Sequence, residues 1–245
     1  MADHDLSGKV AVVTGAGRGI GRAIAVGFAQ AGASVSCAAR TASEIEEAAA
    51  EIRDSGGTAI ARTVDVTDCG EVERLFEETS AELGGVDIVV ANAGGNMEAN
   101  PVESSDPGGW EATVSVNLFG AYHCIRAAIP HMRRRGGGKI ITLGSGMGHR
   151  GRAGSSAYCC AKAALWMLTR VSAQELWEDG ISVNELIPGP VRTSATAGAG
   201  TGSVFGIDSE WVKEPEDVVP MALFLACQPE VGPTAQSYSL MRRDM

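Results

Sequence analysis

The chain has 245 residues, which is enough for one large α/β domain with a substantial core, and a second domain is not required. Thirty acidic and twenty basic side chains give a formal net charge of −10, which argues against nucleic acid or an anionic membrane as the main partner. No apolar run reaches membrane-spanning length and the polar start shows no signal-peptide pattern, so we expect a cytoplasmic protein.

The six cysteines, at positions 37, 69, 124, 159, 160 and 227, do not show the paired spacing of metal ligands. Two of them, Cys159 and Cys160, are adjacent within a predicted helix. We therefore expect reduced thiols, no disulfide framework and no bound metal, in agreement with a cytoplasmic location.

From Lys9 onward, short apolar runs alternate with segments of helical periodicity. The predicted strands span 10–13, 34–39, 59–64, 86–90, 139–143, 181–187 and 235–240. The predicted helices span 22–31, 43–56, 71–83, 108–135, 156–178 and 216–227, and Ser43 with Glu46 predicts a capping box at the second. The segment 195–203 predicts a mobile loop or lid. This alternation predicts a single α/β domain over 1–245, with a doubly wound parallel sheet and helices on both faces.

A glycine-rich turn lies between the first predicted strand and the first predicted helix. In this architecture such a turn presents backbone N–H groups and a helix N-terminus to the pyrophosphate of a dinucleotide. The common Gly-x-Gly-x-x-Gly spacing does not fit at Gly15 and Gly17, because residue 20 is Ile. The spacing Thr-Gly-x-x-x-Gly-x-Gly does fit, at Thr14, Gly15, Gly19 and Gly21. The alternative interpretation is a strand-to-helix turn that is merely tight.

Tyr158 and Lys162 are four positions apart in a helix predicted to begin near Ser156, so their side chains share one face. A free phenol has a pKa of about 10, and a neighbouring cation favours proton exchange nearer neutrality. Ser145 follows the strand at 139–143 and is therefore expected at a strand's carboxyl end, beside Tyr158. Taken alone, the pair is better explained by an amphipathic helix with a solvated Lys.

Together these motifs resemble the short-chain dehydrogenase/reductase family, from Gly8 to about Leu240. The motifs follow the family's order, namely Thr14 to Gly21, Asp65-Val66, Asn92-Ala93-Gly94, Asn117, Ser145, Tyr158 to Lys162, and Pro188-Gly189. The 3-oxoacyl-[acyl-carrier-protein] reductase type is one group that the chain resembles. The resemblance implies a Rossmann fold and a metal-free hydride transfer between a nicotinamide cofactor and a ketone or secondary alcohol.

The resemblance also implies a role for each matching residue. Tyr158 is the general acid/base, and Lys162 holds the nicotinamide ribose and lowers the pKa of Tyr158. Ser145 binds the oxygen that is converted, and Asn117 supports a water-linked proton relay to Lys162. The expected cofactor-binding residues are Gly15, Arg18, Gly19, Ile20, Gly21, Arg40, Asp65, Val66, Asn92, Ala93, Gly94, Tyr158, Lys162, Pro188, Gly189, Val191 and Thr193. Asn92 lies either near the cofactor or in a position that stabilises the sheet.

The choice of cofactor follows from charge at the end of the second strand. An acidic residue there would bind the adenosine ribose and repel a 2′-phosphate, whereas an Arg accommodates it. The chain has Ala39 followed by Arg40 at this position, and Arg18 in the glycine-rich turn. Two guanidinium groups and no acid predict NADP(H) rather than NAD(H), unless both arginines face solvent.

The substrate pocket carries a weaker signal. His149, Arg150 and Arg152 either form a solvated loop, the simpler interpretation, or recognise an anionic group of the substrate. Met97, Trp110, Met147 and the segment 195–212 are candidate pocket walls. Two departures from the family pattern are Gly144 before Ser145, where many members have a second Ser, and the C-terminal Ser239 to Met245, which puts the family's usual C-terminal subunit contact in doubt.

The segments 108–135 and 156–178 resemble the helix pair through which family members associate, so we expect a homodimer or homotetramer. The expected partner is otherwise a small carbonyl or alcohol substrate. A second hypothesis is a regulatory protein that binds NADP(H) without turnover, against which Asn117, Ser145, Tyr158 and Lys162 all argue. A methyltransferase with a related sheet would leave the Tyr-Lys pair unexplained.

Overall fold

A computed structural model describes residues 4–193 and 211–241. Within these residues, seven parallel strands form one sheet in the order β3-β2-β1-β4-β5-β6-β7. The strands are β1 (Val10–Thr14), β2 (Ser34–Ala39), β3 (Thr58–Thr63), β4 (Ile88–Ala91), β5 (Gly138–Leu143), β6 (Ile181–Ile187) and β7 (Ser237–Ser239). The predicted doubly wound parallel sheet is confirmed.

The described residues form eight α-helices, most of which pack on the two faces of the sheet. They are α1 (Gly19–Gln30), α2 (Ala42–Asp54), α3 (Cys69–Leu83), α4 (Pro107–Val114), α5 (Gly120–Arg135), α6 (Gly146–Arg150), α7 (Ser156–Leu176) and α8 (Val219–Ala226). A π turn (Ser115–Phe119) joins α4 to α5, and short 3-10 turns lie at Val102–Ser104, Trp177–Asp179 and Pro215–Val218. Among the described helices, none is both long and apolar enough to cross a bilayer.

The sheet separates two hydrophobic cores. Val13 and Val90 point into the core formed with α1, α2 and α8, while their neighbours Val12 and Val89 point into the core formed with α3, α5 and α7. Because both sides of each central strand are buried, its sequence is apolar without alternation. This explains why the strands were visible in the sequence as continuous apolar runs.

Several predicted boundaries differ from the structure. The predicted N-cap at Ser43 is wrong, because α2 begins at Ala42 after Thr41, whose side chain makes no capping bond. α1 begins at Gly19 rather than at position 22, because its first turn is the glycine-rich motif itself. The segment 108–135 is interrupted by the π turn, and the basic segment after Ser145 is the short helix α6 rather than a loop.

The strand order reverses beside β1, where β1 pairs with β2 on one side and with β4 on the other. Thr14 and Asn92 hold this point together at the carboxyl ends of β1 and β4. The Asn92 Nδ2 donates to the Thr14 carbonyl at 2.8 Å, and the Thr14 Oγ1 accepts from the Asn92 and Ala93 N–H groups at 3.1 Å each. Asn92 thus links the carboxyl ends of β1 and β4.

Candidate active site

The carboxyl ends of the strands open into a cleft of about 860 Å³. Ligands of doubly wound sheets bind at this edge, where the strand order reverses. Every residue predicted for the catalytic and cofactor sites lines the cleft, and these residues are Gly15, Arg18, Gly19, Ile20, Gly21, Arg40, Asp65, Val66, Asn92, Ala93, Gly94, Asn117, Ser145, Tyr158, Lys162, Pro188, Gly189, Val191 and Thr193. The structure therefore brings the predicted site together, and the role of each residue remains a prediction.

The glycine-rich turn is bare backbone at the floor of the cleft. Gly15 and Gly19 have φ of +66° and +55°, in the left-handed region that favours glycine. A Cβ on Gly21 would clash with the Gly15 carbonyl oxygen, so Gly21 lets α1 begin tightly against the turn, and a Cβ on Gly19 would lie 3.3 Å from Thr193. The turn thus leaves its backbone open at the start of α1, where a dinucleotide pyrophosphate can approach it.

The π turn between α4 and α5 carries Asn117. Its Nδ2 donates to the carbonyl oxygens of Gly95 and Thr113 at 2.6 and 2.8 Å, and its Oδ1 accepts from the Gly95 N–H at 3.3 Å. A Cβ on Gly94 would lie 2.5 Å from this Oδ1 and 3.7 Å from the Lys162 Nζ. A π turn adds one residue to a helix and often marks a functional position. Here it directs Asn117 into the loop after β4, next to Lys162.

Lys162 places a cation inside the protein. Its Nζ is buried and donates to the Leu143 carbonyl at 2.7 Å, at the end of β5. Burial lowers the pKa of Lys162 to about 8, and the negative charge of Glu185 opposes this shift. The Nζ lies 5.6 Å from the centroid of the Tyr158 ring.

Tyr158 occupies the first turn of α7 and forms a hydrogen bond with the Ser145 hydroxyl. Burial raises the pKa of Tyr158, and the bond to Ser145 lowers it by less. The lowering of this pKa by Lys162 stays a prediction, and in this structure the Lys162 ammonium donates to the Leu143 carbonyl. Ser145 is the N-cap of α6, where its Oγ accepts from the Met147 N–H at 3.2 Å. The Ser, Tyr and Lys side chains thus meet between β5 and α7.

The end of the cleft beside β2 has mixed charge. The Arg18 Nη1 lies 3.3 Å from the Glu44 Oε1, and Glu44 lines the cleft. The end of β2 carries no acid, as predicted, but the first turn of α2 adds Glu44 to this end of the cleft. Arg40 is exposed and has no ion-pair partner among residues 4–193 and 211–241. The Thr67 N–H lowers the pKa of Asp65, and the charge of Arg40 lowers it further.

At the other end, Met97, Met147, Arg150, Arg152 and Met241 line the cleft. His149 does not join them, because its Nε2 lies 3.0 Å from the Glu185 Oε2 and its ring packs on Trp166. Trp110 lies outside the lining and donates to the Ser156 Oγ at 3.1 Å. Most of the predicted 195–212 wall, and the tail after Met241, lie outside the described residues.

Sequence reasoning missed Glu44, Glu185 and Met241. Each contacts a residue that is far away in the sequence. Glu44 is 26 positions from Arg18, and Glu185 is 36 positions from His149. No local spacing could have identified them.

The chain is similar to known oxidoreductases. The family model described as short chain dehydrogenase matches residues 9–202. The cis-4-hydroxycyclohexanecarboxylate dehydrogenase of Sinomonas cyclohexanicum is 38% identical over 190 residues, covering 78% of this chain and 76% of that protein. The 7alpha-hydroxysteroid dehydrogenase of Escherichia coli K12 is 34% identical over 233 residues, covering 91% and 89%. A short-chain type dehydrogenase/reductase from Mycobacterium marinum superposes with a TM-score of 0.90 at 33% identity, covering 96% and 95%.

Fold and cleft define a dinucleotide-binding α/β oxidoreductase. The chain belongs to the short-chain dehydrogenase family. It is accordingly an NAD(P)-dependent enzyme that acts on CH–OH groups and interconverts alcohols and carbonyl compounds by hydride transfer.

Proposed function

We propose that the protein interconverts a ketone and a secondary alcohol with NADP(H), and that Tyr158 is the general acid/base. The observation that carries this proposal is the meeting of the Tyr158 and Ser145 hydroxyls beside the buried Lys162 ammonium. The bound cofactor supplies the hydride in reduction and accepts it in oxidation. Two hydroxyls directed at one oxygen can stabilise and protonate the charge that develops there.

The protonation state of Tyr158 suits proton donation from the phenol to the substrate. Because burial raises the pKa of Tyr158, the phenol is protonated near neutral pH and can donate a proton to a substrate oxygen. The Lys162 Nζ lies 5.6 Å from the Tyr158 ring centroid and can stabilise the phenolate that remains, and Asn117 holds the loop after β4 next to Lys162. We therefore assign Ser145 to substrate binding, Lys162 to charge stabilisation and Asn117 to support of Lys162.

Tyr158→Phe tests the proposal. The variant should lose turnover by at least 1000-fold while it keeps the cofactor affinity of the wild type, because only the phenolic hydroxyl is removed. A matched control is Tyr238→Phe, on β7 outside the lining of the cleft. Turnover retained by the Tyr158 variant would refute the mechanism. Cofactor binding by the wild type without turnover of any ketone or alcohol would favour the alternative, a regulatory NADP(H)-binding protein.

The preference for NADP(H) rests on Arg40 and Arg18. Arg40 supplies an exposed guanidinium to the cleft, and Arg18 supplies a second one that Glu44 partly neutralises. We expect Arg40→Gln to lower the NADPH/NADH selectivity by about tenfold or more, since a charged hydrogen bond is lost. Glu44→Gln should raise this selectivity. Arg22→Gln, whose side chain pairs with Glu51 outside the cleft, is the control that should leave it unchanged.

For the substrate we propose a cyclic secondary alcohol or the corresponding ketone. The names of two relatives, a hydroxycyclohexanecarboxylate dehydrogenase and a hydroxysteroid dehydrogenase, support this class. The methionines of the cleft suit an apolar ring, and Arg150 offers a cation to an anionic substituent. A panel for first assays therefore pairs cyclic keto acids with their neutral esters and includes a 3-oxoacyl thioester. We further propose a cytoplasmic homodimer or homotetramer.

A further inference from the structure

Glu185 is an acidic residue in the middle of the buried strand β6, and no motif in the sequence points to a function for it. It lies on β6 opposite Thr142 of β5, with 0% of its surface exposed. Its Oε2 accepts from the Ser237 Oγ at 2.6 Å and lies 3.0 Å from the His149 Nε2. A buried carboxylate is costly unless it is hydrogen-bonded or paired, and the chain provides both kinds of partner.

The residue that makes room for Glu185 directly precedes Ser145. A Cβ on Gly144 would lie 2.5 Å from the Glu185 Cγ and closer still to the carboxylate. Any larger residue at position 144 must therefore displace either the carboxylate or the turn that carries Ser145. The Glu185 side chain thus fills the space that a side chain at position 144 would need.

Glu185 also lies beside the group that holds Lys162. The Lys162 Nζ donates to the Leu143 carbonyl, one residue before Gly144. The other groups that face Glu185 are His149 of α6 and Ser237 of β7, and Trp166 and Arg170 of α7 stack behind His149. The negative charge of Glu185 opposes the lowering of the Lys162 pKa by burial, and the direct partner of the Glu185 carboxylate is His149 on its solvent side.

We propose that Glu185 is a positioning residue of the active site, which supports the turn carrying Ser145 through the space left by Gly144 and supplies the buried counter-charge of Lys162. Its electrostatic half, the effect of the Glu185 charge on Lys162 during catalysis, rests on the proposed function. Its structural half, the close contact between positions 144 and 185, is independent of turnover.

The electrostatic half is tested by Glu185→Gln, which keeps the shape and removes the charge. Without the carboxylate, Lys162 should lose its proton at lower pH, so the alkaline limb of the kcat profile for ketone reduction should move down by about one pH unit. Asp87→Asn is the matched control, since Asp87 is a buried acid at the opposite end of the sheet, paired with Arg135. The control should lower Tm and leave the limb in place.

The structural half is tested by a double-mutant cycle on thermal stability and kcat with Gly144→Ser, Glu185→Ala and the double variant. We expect the single Gly144→Ser change to lower both Tm and kcat, and the double variant to recover part of each loss, because the smaller side chain at 185 admits the new one. Additive losses, or an alkaline limb unmoved in Glu185→Gln of an active enzyme, would overturn the inference. A wild type that turns over no alcohol or ketone would instead refute the proposed function, and the Tm cycle would still decide whether positions 144 and 185 share one space.

Discussion

At the scale of single residues, the buried Lys162 ammonium makes stability depend on pH. Its pKa is about 8 in the folded protein and 10.5 in the unfolded chain, because burial disfavours the charged form. Below the lower value both states are protonated and the folded state carries the full cost of the buried charge. Above the higher value the amine is neutral in both states and the cost is absent. Between them the unfolded chain binds more protons, so the stability contributed at this site rises with pH.

Lys162→Met removes this titration. We expect the unfolding free energy of the wild type, relative to the variant, to increase by on the order of 3 kcal/mol between pH 8 and 10.5, which is the size of the shift. Urea denaturation of both proteins at several pH values across this window measures the difference and cancels other titrating groups. A difference that does not change with pH would show that Lys162 is not a buried cation.

The residues of the site differ in how far the sequence could predict them. Tyr158 and Lys162 lie on one turn of one helix, and Ser145 follows an apolar strand, so their spacing together with the other family motifs was enough to predict that they meet. Glu185 lies within an apolar strand, and its importance depends on Gly144 in the neighbouring strand and on the helix that carries Lys162. Such a contact depends on strand register, which a single sequence does not specify.

At the scale of elements, α6 positions Ser145 against α7 through a glycine contact. A Cβ on Gly148 would lie 2.7 Å from the Lys162 carbonyl carbon, so the two helices touch backbone to backbone. Gly148→Ala should push α6 away from α7, lower kcat about tenfold or more by misplacing Ser145, and leave cofactor affinity nearly unchanged. Gly70→Ala, where the nearest atom is 3.3 Å away on the Asp68 side chain, is the control and should not reduce kcat. Equal kcat for both variants would contradict this role of α6.

The elements themselves were predicted well where burial on both sides of the sheet produces continuous apolar runs. The prediction failed where local chemistry competes with that pattern. The first turn of α1 consists of glycine-rich sequence, which has low helix propensity, and α6 is only five residues long. The π turn keeps the apolar periodicity of a helix, and it differs only in its backbone hydrogen bonds, such as that from the Gly120 N–H to the Ser115 carbonyl.

At the scale of the whole molecule, the described surface leaves apolar side chains exposed on the helix pair that we propose as the subunit contact. Phe119 and Tyr122 near the start of α5 are 50% and 45% exposed, and Met167 and Val171 on one face of α7 are 50% and 42% exposed. Val171→Glu should therefore shift the protein from a dimer or tetramer toward the 25.3 kDa monomer in light scattering. Val102→Glu adds the same charge at another exposed valine and should leave the mass unchanged. A wild type of monomeric mass at assay concentration would refute the proposed association, and an oligomer that both variants retain would place the contact elsewhere on the surface.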